Sequence, residues 1–115
     1  MKNYENGSIK ISNDVIDQLI AEITLRVDGV VRVSGYKNNS IDMMSQNRIK
    51  TEINGSSLTT IVTVTLDEEY KVIDVAENIQ KEIKKQIKTM LGLDVLAVHV
   101  RIKSTKSKEE IAKLY

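Results

Sequence analysis

The chain contains no cysteine, no phenylalanine and no tryptophan, and it has a single histidine, His99. Without cysteine there is no disulfide framework, thiolate zinc site, iron–sulfur cluster or cysteine nucleophile. One imidazole also excludes most histidine metal sites and any two-histidine mechanism. The aromatic residues are Tyr4, Tyr36, Tyr70 and Tyr115, so the core must be almost entirely aliphatic. An excess of one charge is lacking too: 17 Lys and Arg against 16 Asp and Glu leave +1 over 115 residues. That balance gives no bulk attraction to nucleic acid or an anionic membrane, and such binding needs a local patch. No run of about 18 apolar residues occurs, the minimum for a spanning helix. The first ten residues lack the charged start and apolar stretch of a leader. Lys2 stands where myristoylation requires Gly. A soluble, cytoplasmic protein is expected, without direct membrane insertion.

Apolar residues make up 41% of the chain, enough for one core. Ser8 to Ser12 alternates, with Ile9 and Ile11 on one side, as in a half-buried strand. Val15, Ile16, Leu19, Ile20, Ile23 and Val27 then recur at helical spacing, between a Ser12 or Asn13 cap and the stop Asp28-Gly29. This predicts a helix over 13–27. Residues 30–34 suit a short strand, and 35–47 read as a long loop carrying Met43 and Met44. Alternation over 48–53, the turn pair Asn54-Gly55 and the Thr/Val-rich run 58–66 predict a β-hairpin. Val72, Val75, Ala76, Ile79, Ile83, Ile87, Met90 and Leu91 mark a second amphipathic helix, closed by Gly92. In a last strand over 95–102, Leu96, Val98, Val100 and Ile102 are expected to point inward. Ile111, Ala112 and Leu114 suit one more short helix.

The order is β-α-β-β-α-β, with an optional short strand after the first helix. Each helix must bury its stripe against a sheet. The expected fold is therefore α+β: a two-layer sandwich with two helices on one face of a mainly antiparallel sheet, and a short C-terminal helix. Residues 1–7 form a lead-in, 8–103 the single domain and 104–115 a basic tail. From Arg101 to Tyr115 there are five basic and two acidic residues. The pattern does not set the strand order.

Motifs for chemistry are missing. There is no glycine-rich dinucleotide fingerprint, no phosphate loop and no serine in a nucleophile elbow. Asp67-Glu68-Glu69, the one acidic cluster, lacks the spacing of a calcium loop. No enzymatic activity, cofactor, metal or small-molecule substrate is expected. The sheet face turned away from the helices is the informative surface. Thr59, Ile61 and Thr63 of the long strand share it with Val95, Ala97, His99 and Arg101 of the last strand. Arg48, Lys50 and Glu52 edge it. An apolar centre with a polar rim is the anatomy of a protein interface, and its candidate residues are Thr59, Ile61, Thr63, Val95, Ala97 and His99. RNA-binding sheets stack bases on aromatic side chains, and the predicted strands hold none. Nucleic acid is thus not the expected partner; a small RNA-binding α+β domain is the alternative reading.

An ordered set of short motifs resembles the bacterial alkaline shock protein family, associated with the envelope stress response. The first half carries Gly7-Ser8-Ile9-Lys10-Ile11-Ser12, Val15-Ile16 and Val27-Asp28-Gly29-Val30. The second carries Val62-Thr63-Val64, Glu69-Tyr70 and Val75-Ala76-Glu77-Asn78-Ile79-Gln80, then Met90-Leu91-Gly92-Leu93 and Val95 to Val98-His99-Val100. The likeness spans residues 7 to 103 apart from the central loop. Lys71, His99 and Asp28 depart from the Gly, Asn and Pro frequent at these places. The resemblance implies a cytoplasmic, non-enzymatic protein that self-associates. It also implies, as in some members, recruitment to the inner face of the membrane by a small anchor protein.

Overall fold

The computed structural model describes residues 2–4 and 7–114. The described elements are β1 (Lys2–Tyr4), β2 (Gly7–Ile9), α1 (Asn13–Leu25), β3 (Val30–Val33), β4 (Tyr36–Lys37), β5 (Ser40–Ile41), β6 (Lys50–Asn54), β7 (Ser57–Asp67), α2 (Val72–Leu91), β8 (Asp94–Lys106) and α3 (Lys108–Ala112). The fold is α+β. β7 organises the main sheet. β8 runs parallel along one of its edges, from Ser57 opposite Asp94 to Asp67 opposite Lys106. β6 and β3 share the other edge end to end, both antiparallel to β7. Two of these three pairings are antiparallel, but the parallel one is the longest.

The helices form because their stripes have a sheet face to cover. Ser12 caps α1, its hydroxyl accepting the Val15 N–H at 3.4 Å. Gly92 ends α2 in the left-handed conformation, φ 70°. Ile16, Ile20 and Ile23 of α1 and Val75, Ile79, Ile83 and Ile87 of α2 are buried. They meet Leu58, Val62, Val64 and Leu66 of β7 in one aliphatic cluster. α2 lies over β8, while α1 lies over β3 and β6 and against α2. Asp67 turns the chain from β7 into α2: its carboxylate accepts the Glu69 N–H at 3.0 Å and its carbonyl accepts the Tyr70 N–H at 3.1 Å. The acidic cluster is thus a connection. Gly29 makes that corner possible. It sits at φ +93°, and a Cβ there would lie 2.8 Å from Val75 Cγ2 and 2.9 Å from the Tyr70 ring.

Three details differ from the sequence expectation. The stretch 8–12 does not join the main sheet: β2 pairs only with β1, and Ile9 is 63% exposed. Both edges of β7 are already taken, and β3 holds the place a first strand would have filled. The 35–47 segment is more than a loop. β4 and β5 pair across Asn38 and Asn39, both at positive φ (54° and 62°), as a two-residue hairpin turn requires. Tyr36 anchors this hairpin, buried and donating its hydroxyl to Glu22 Oε1 at 3.4 Å. Finally, the register of β8 shifts at Leu96, which is 66% exposed rather than inward.

Candidate interaction surface

The surface is built from the odd-numbered residues of β7 and whatever its neighbours set beside them. Residues paired across a ladder share a face. Ile61 lies between Lys50 of β6 and His99 of β8, and Thr59 between Glu52 and Ala97. Further along, Thr63 pairs with Arg101, and Thr65 pairs with Arg32 on one side and Ser104 on the other. Five of the six sequence candidates therefore come together: Thr59, Ile61, Thr63, Ala97 and His99. Val95 does not. It pairs with Leu58, on the helix-covered side, and packs against the core. The cause is the bulge at Leu96, which inserts one extra residue and reverses the side to which everything before it points. The apolar centre is smaller than expected, Ile61 and Ala97 only.

The rim is more basic than the composition of the chain suggests. Arg32, Lys50, Arg101 and Lys106 belong to this face, against Glu52 and Asp67. Arg32 was invisible as a surface residue in Val30-Val31-Arg32-Val33. Strict alternation there would put Arg32 on the same face as Val30, toward the core. A register shift between Val30 and Arg32 turns it out and still lets Val33 be buried. Two valines three apart around an arginine are the signal that could have found it. A second shift, between Val64 and Thr65, places Lys103 outside the regular pairing of β8. Both strands beside Thr65 are thus bulged at the same level. Thr65 is only 6% exposed there, its hydroxyl 3.3 Å from that of Ser104.

Next to this end of the face, Arg32, Ser34, Lys37, Asp42, Ser45 and Lys103 line a cleft of about 310 Å³. Gly35, at φ +77°, brings the chain against Arg48, whose Cα would lie 2.6 Å from an added Cβ. On the other layer, burial pushes the Asp17 carboxyl above its ordinary value, the nearby Asp14 charge adds to this, and Thr51 and Arg48 oppose it. Among the described residues, Oδ1 of Asp17 is buried without a hydrogen-bond partner. Among the described residues, no three His, Asp or Glu side chains gather as a metal-binding group, and no helix is long and apolar enough to cross a membrane.

Solved structures of the MamM C-terminal domain are similar in fold. A substituted form and a copper form each give a TM-score of 0.60 at 16% identity, covering 83% of this chain and 100% of theirs. A further structure of that domain gives 0.59 at 17% identity, covering 81% of this chain and 99% of its own. At such identity the likeness is one of fold alone. No curated protein matches the chain by direct sequence comparison. A family profile does, over residues 1–107, that of a family with a cell envelope-related function. The Gly29 corner, the Glu69-Tyr70 turn and the α2 stripe lie inside that match, and the chain belongs to the alkaline shock protein 23 family.

Proposed function

We propose that this protein is a non-enzymatic assembly module of the cell envelope, whose helix-free sheet face binds proteins: further copies of itself and an anchor that holds it at the cytoplasmic side of the membrane. The observation that carries this reading is the uncovered face itself, with Ile61 and Ala97 at its centre and Thr59, Thr63, His99 and Arg101 around them. An apolar centre inside a polar ring is how partners exclude water from a contact. The basic rim favours a partner with acidic side chains opposite Arg32, Lys50 and Arg101. Membership of an envelope-related family supports the setting. The lack of cysteine and the single histidine support the non-enzymatic part.

Ile61→Lys tests the reading. Burying an isoleucine at a contact contributes roughly 1.5–3 kcal/mol, and a lysine there would have to lose its hydration as well. The variant should stay folded and lose self-association together with anchor binding in sedimentation and pull-down. RNA-driven capture would instead weaken steeply with salt and vanish on nuclease treatment. Among the described residues this face presents no Phe, Tyr or Trp ring on which a base could stack, and His99 is its one imidazole.

A further inference from the structure

We propose that the cleft between β3, the β4–β5 hairpin and β8 binds a phosphate group. Arg32, Lys37 and Lys103 come to this cleft from three different strands. The ion pairs among the described residues are Lys88–Asp94 and Lys106–Glu110, so none of the three cations is neutralised there. Like charges gathered in one small volume repel one another, and a bound anion offsets that cost. Asp42 is the one acid in the lining, and its carboxylate already accepts the Met44 N–H at 3.0 Å. It answers one charge of three at most. Ser34, Ser45 and Asn47 add hydroxyl and amide groups to the lining.

The convergence is a product of the two bulges beside Thr65. One turns Arg32 out of the core, and the other takes Lys103 out of the regular ladder. Bulges re-aim side chains in this way, and they are enriched next to functional sites. Three cations with neutral donors match a group that carries more than one negative charge and several acceptor oxygens. With Asp42 answering one charge, a carboxylate would answer a second and leave the third cation unpaired, whereas a doubly charged phosphate answers both. The cleft holds about 310 Å³. That is on the order of ten times the share of one water in the liquid, so the phosphate can keep the group it is attached to. Two sources offer this chemistry, a phosphomonoester lipid headgroup and a soluble phosphate compound. This inference goes beyond the protein-binding role, since it rests on the cleft and not on Ile61.

The test titrates the full chain with inorganic pyrophosphate, following amide NMR shifts, and floats it with phosphatidic acid vesicles against phosphatidylcholine controls. Saturable binding with shifts centred on residues 32–37 and 103 is expected. Arg32→Gln and Lys103→Gln should each weaken it about tenfold, a charge-assisted contact being lost. Lys81→Gln, on the helix side, should bind like the wild type. Both cleft side chains are exposed, so the melts of these variants report whether folding is intact. Flotation that pyrophosphate competes away identifies the headgroup as the source. Saturable pyrophosphate binding without flotation identifies a soluble phosphate. No saturable binding to either probe, or affinities unchanged in both cleft variants, overturns the proposal.

Discussion

The two faces of β7 differ by a single residue of offset and do opposite work. Leu58, Thr60, Val62, Val64 and Leu66 are each 1% exposed or less, sealed by α1 and α2. On the reverse, Thr59 and Ile61 are half-buried, and Thr63 and Thr65 fall to 7% and 6% exposed between the strands that flank them. The first face is closed by packing of whole helices and has no freedom left. The second is bordered by the side chains of neighbouring strands, and in the proposed function it is where a partner binds. A hydroxyl-bearing residue suits that second role, because it accepts water or a partner group equally well.

The largest break in this comparison is a lysine on either side. Val62→Lys puts an ammonium among Ile79, Ile83 and Val64, and desolvating it costs several kcal/mol. That is a large part of the total stability of about 5–15 kcal/mol typical of a domain. The domain should fail to give a cooperative melt, whereas Ile61→Lys should change its stability by about 1 kcal/mol or less. Next comes Gly29→Ala, which adds an unfavourable positive φ to contacts under 3.0 Å with Val75 and Tyr70. A loss of about 2–4 kcal/mol is expected in denaturant titration.

A smaller contrast uses one substitution on both faces. The Thr60 hydroxyl lies 3.0 Å from that of Thr51 beneath α1, and Thr60→Val leaves Thr51 without that partner. About 1–2 kcal/mol should be lost. Thr65→Val removes a longer contact to Ser104, 3.3 Å, at the rim of the open face. It should cost less than about 1 kcal/mol. The smallest effect is a pH trend. The carboxyl of Asp17 is raised by burial, so its proton is held more tightly in the folded than in the unfolded chain. Its contribution favours folding when protonated and is lost as pH rises through the folded value. Asp17→Asn should therefore be the more stable protein at neutral pH, and the gap should close as pH falls through the carboxylate range. Melts across that range check the sign.

Much of the fold was legible because periodicity is a direct consequence of burial. The α2 stripe Val75, Ile79, Ile83 and Ile87, the hairpin between β6 and β7 and the alternation of β7 appear as the sequence pattern predicts. The two turn residues, however, are Gly55 and Ser56, one place beyond the pair Asn54-Gly55. Five of the six interface candidates share a face for the same reason. What escaped was the bulges. One inserted residue leaves no mark in composition, yet it sends Val95 into the core side, Leu96 into solvent and Arg32 onto the open face. The β4–β5 hairpin escaped because its strands are two residues long, too short for a period. Only Asn38-Asn39, tolerant of positive φ, hinted at the turn. The basic cleft follows from these missed features and was therefore out of reach of a reading by alternation.

The central claim is that the helix-free face is the contact surface, and sedimentation velocity of the wild type beside Ile61→Lys tests it most directly. The account predicts that the wild type assembles as concentration rises, while Ile61→Lys remains a monomer with an unchanged melt. An Ile61→Lys protein that assembles like the wild type would contradict it and would move the contact to the β4–β5 segment or the C-terminal tail.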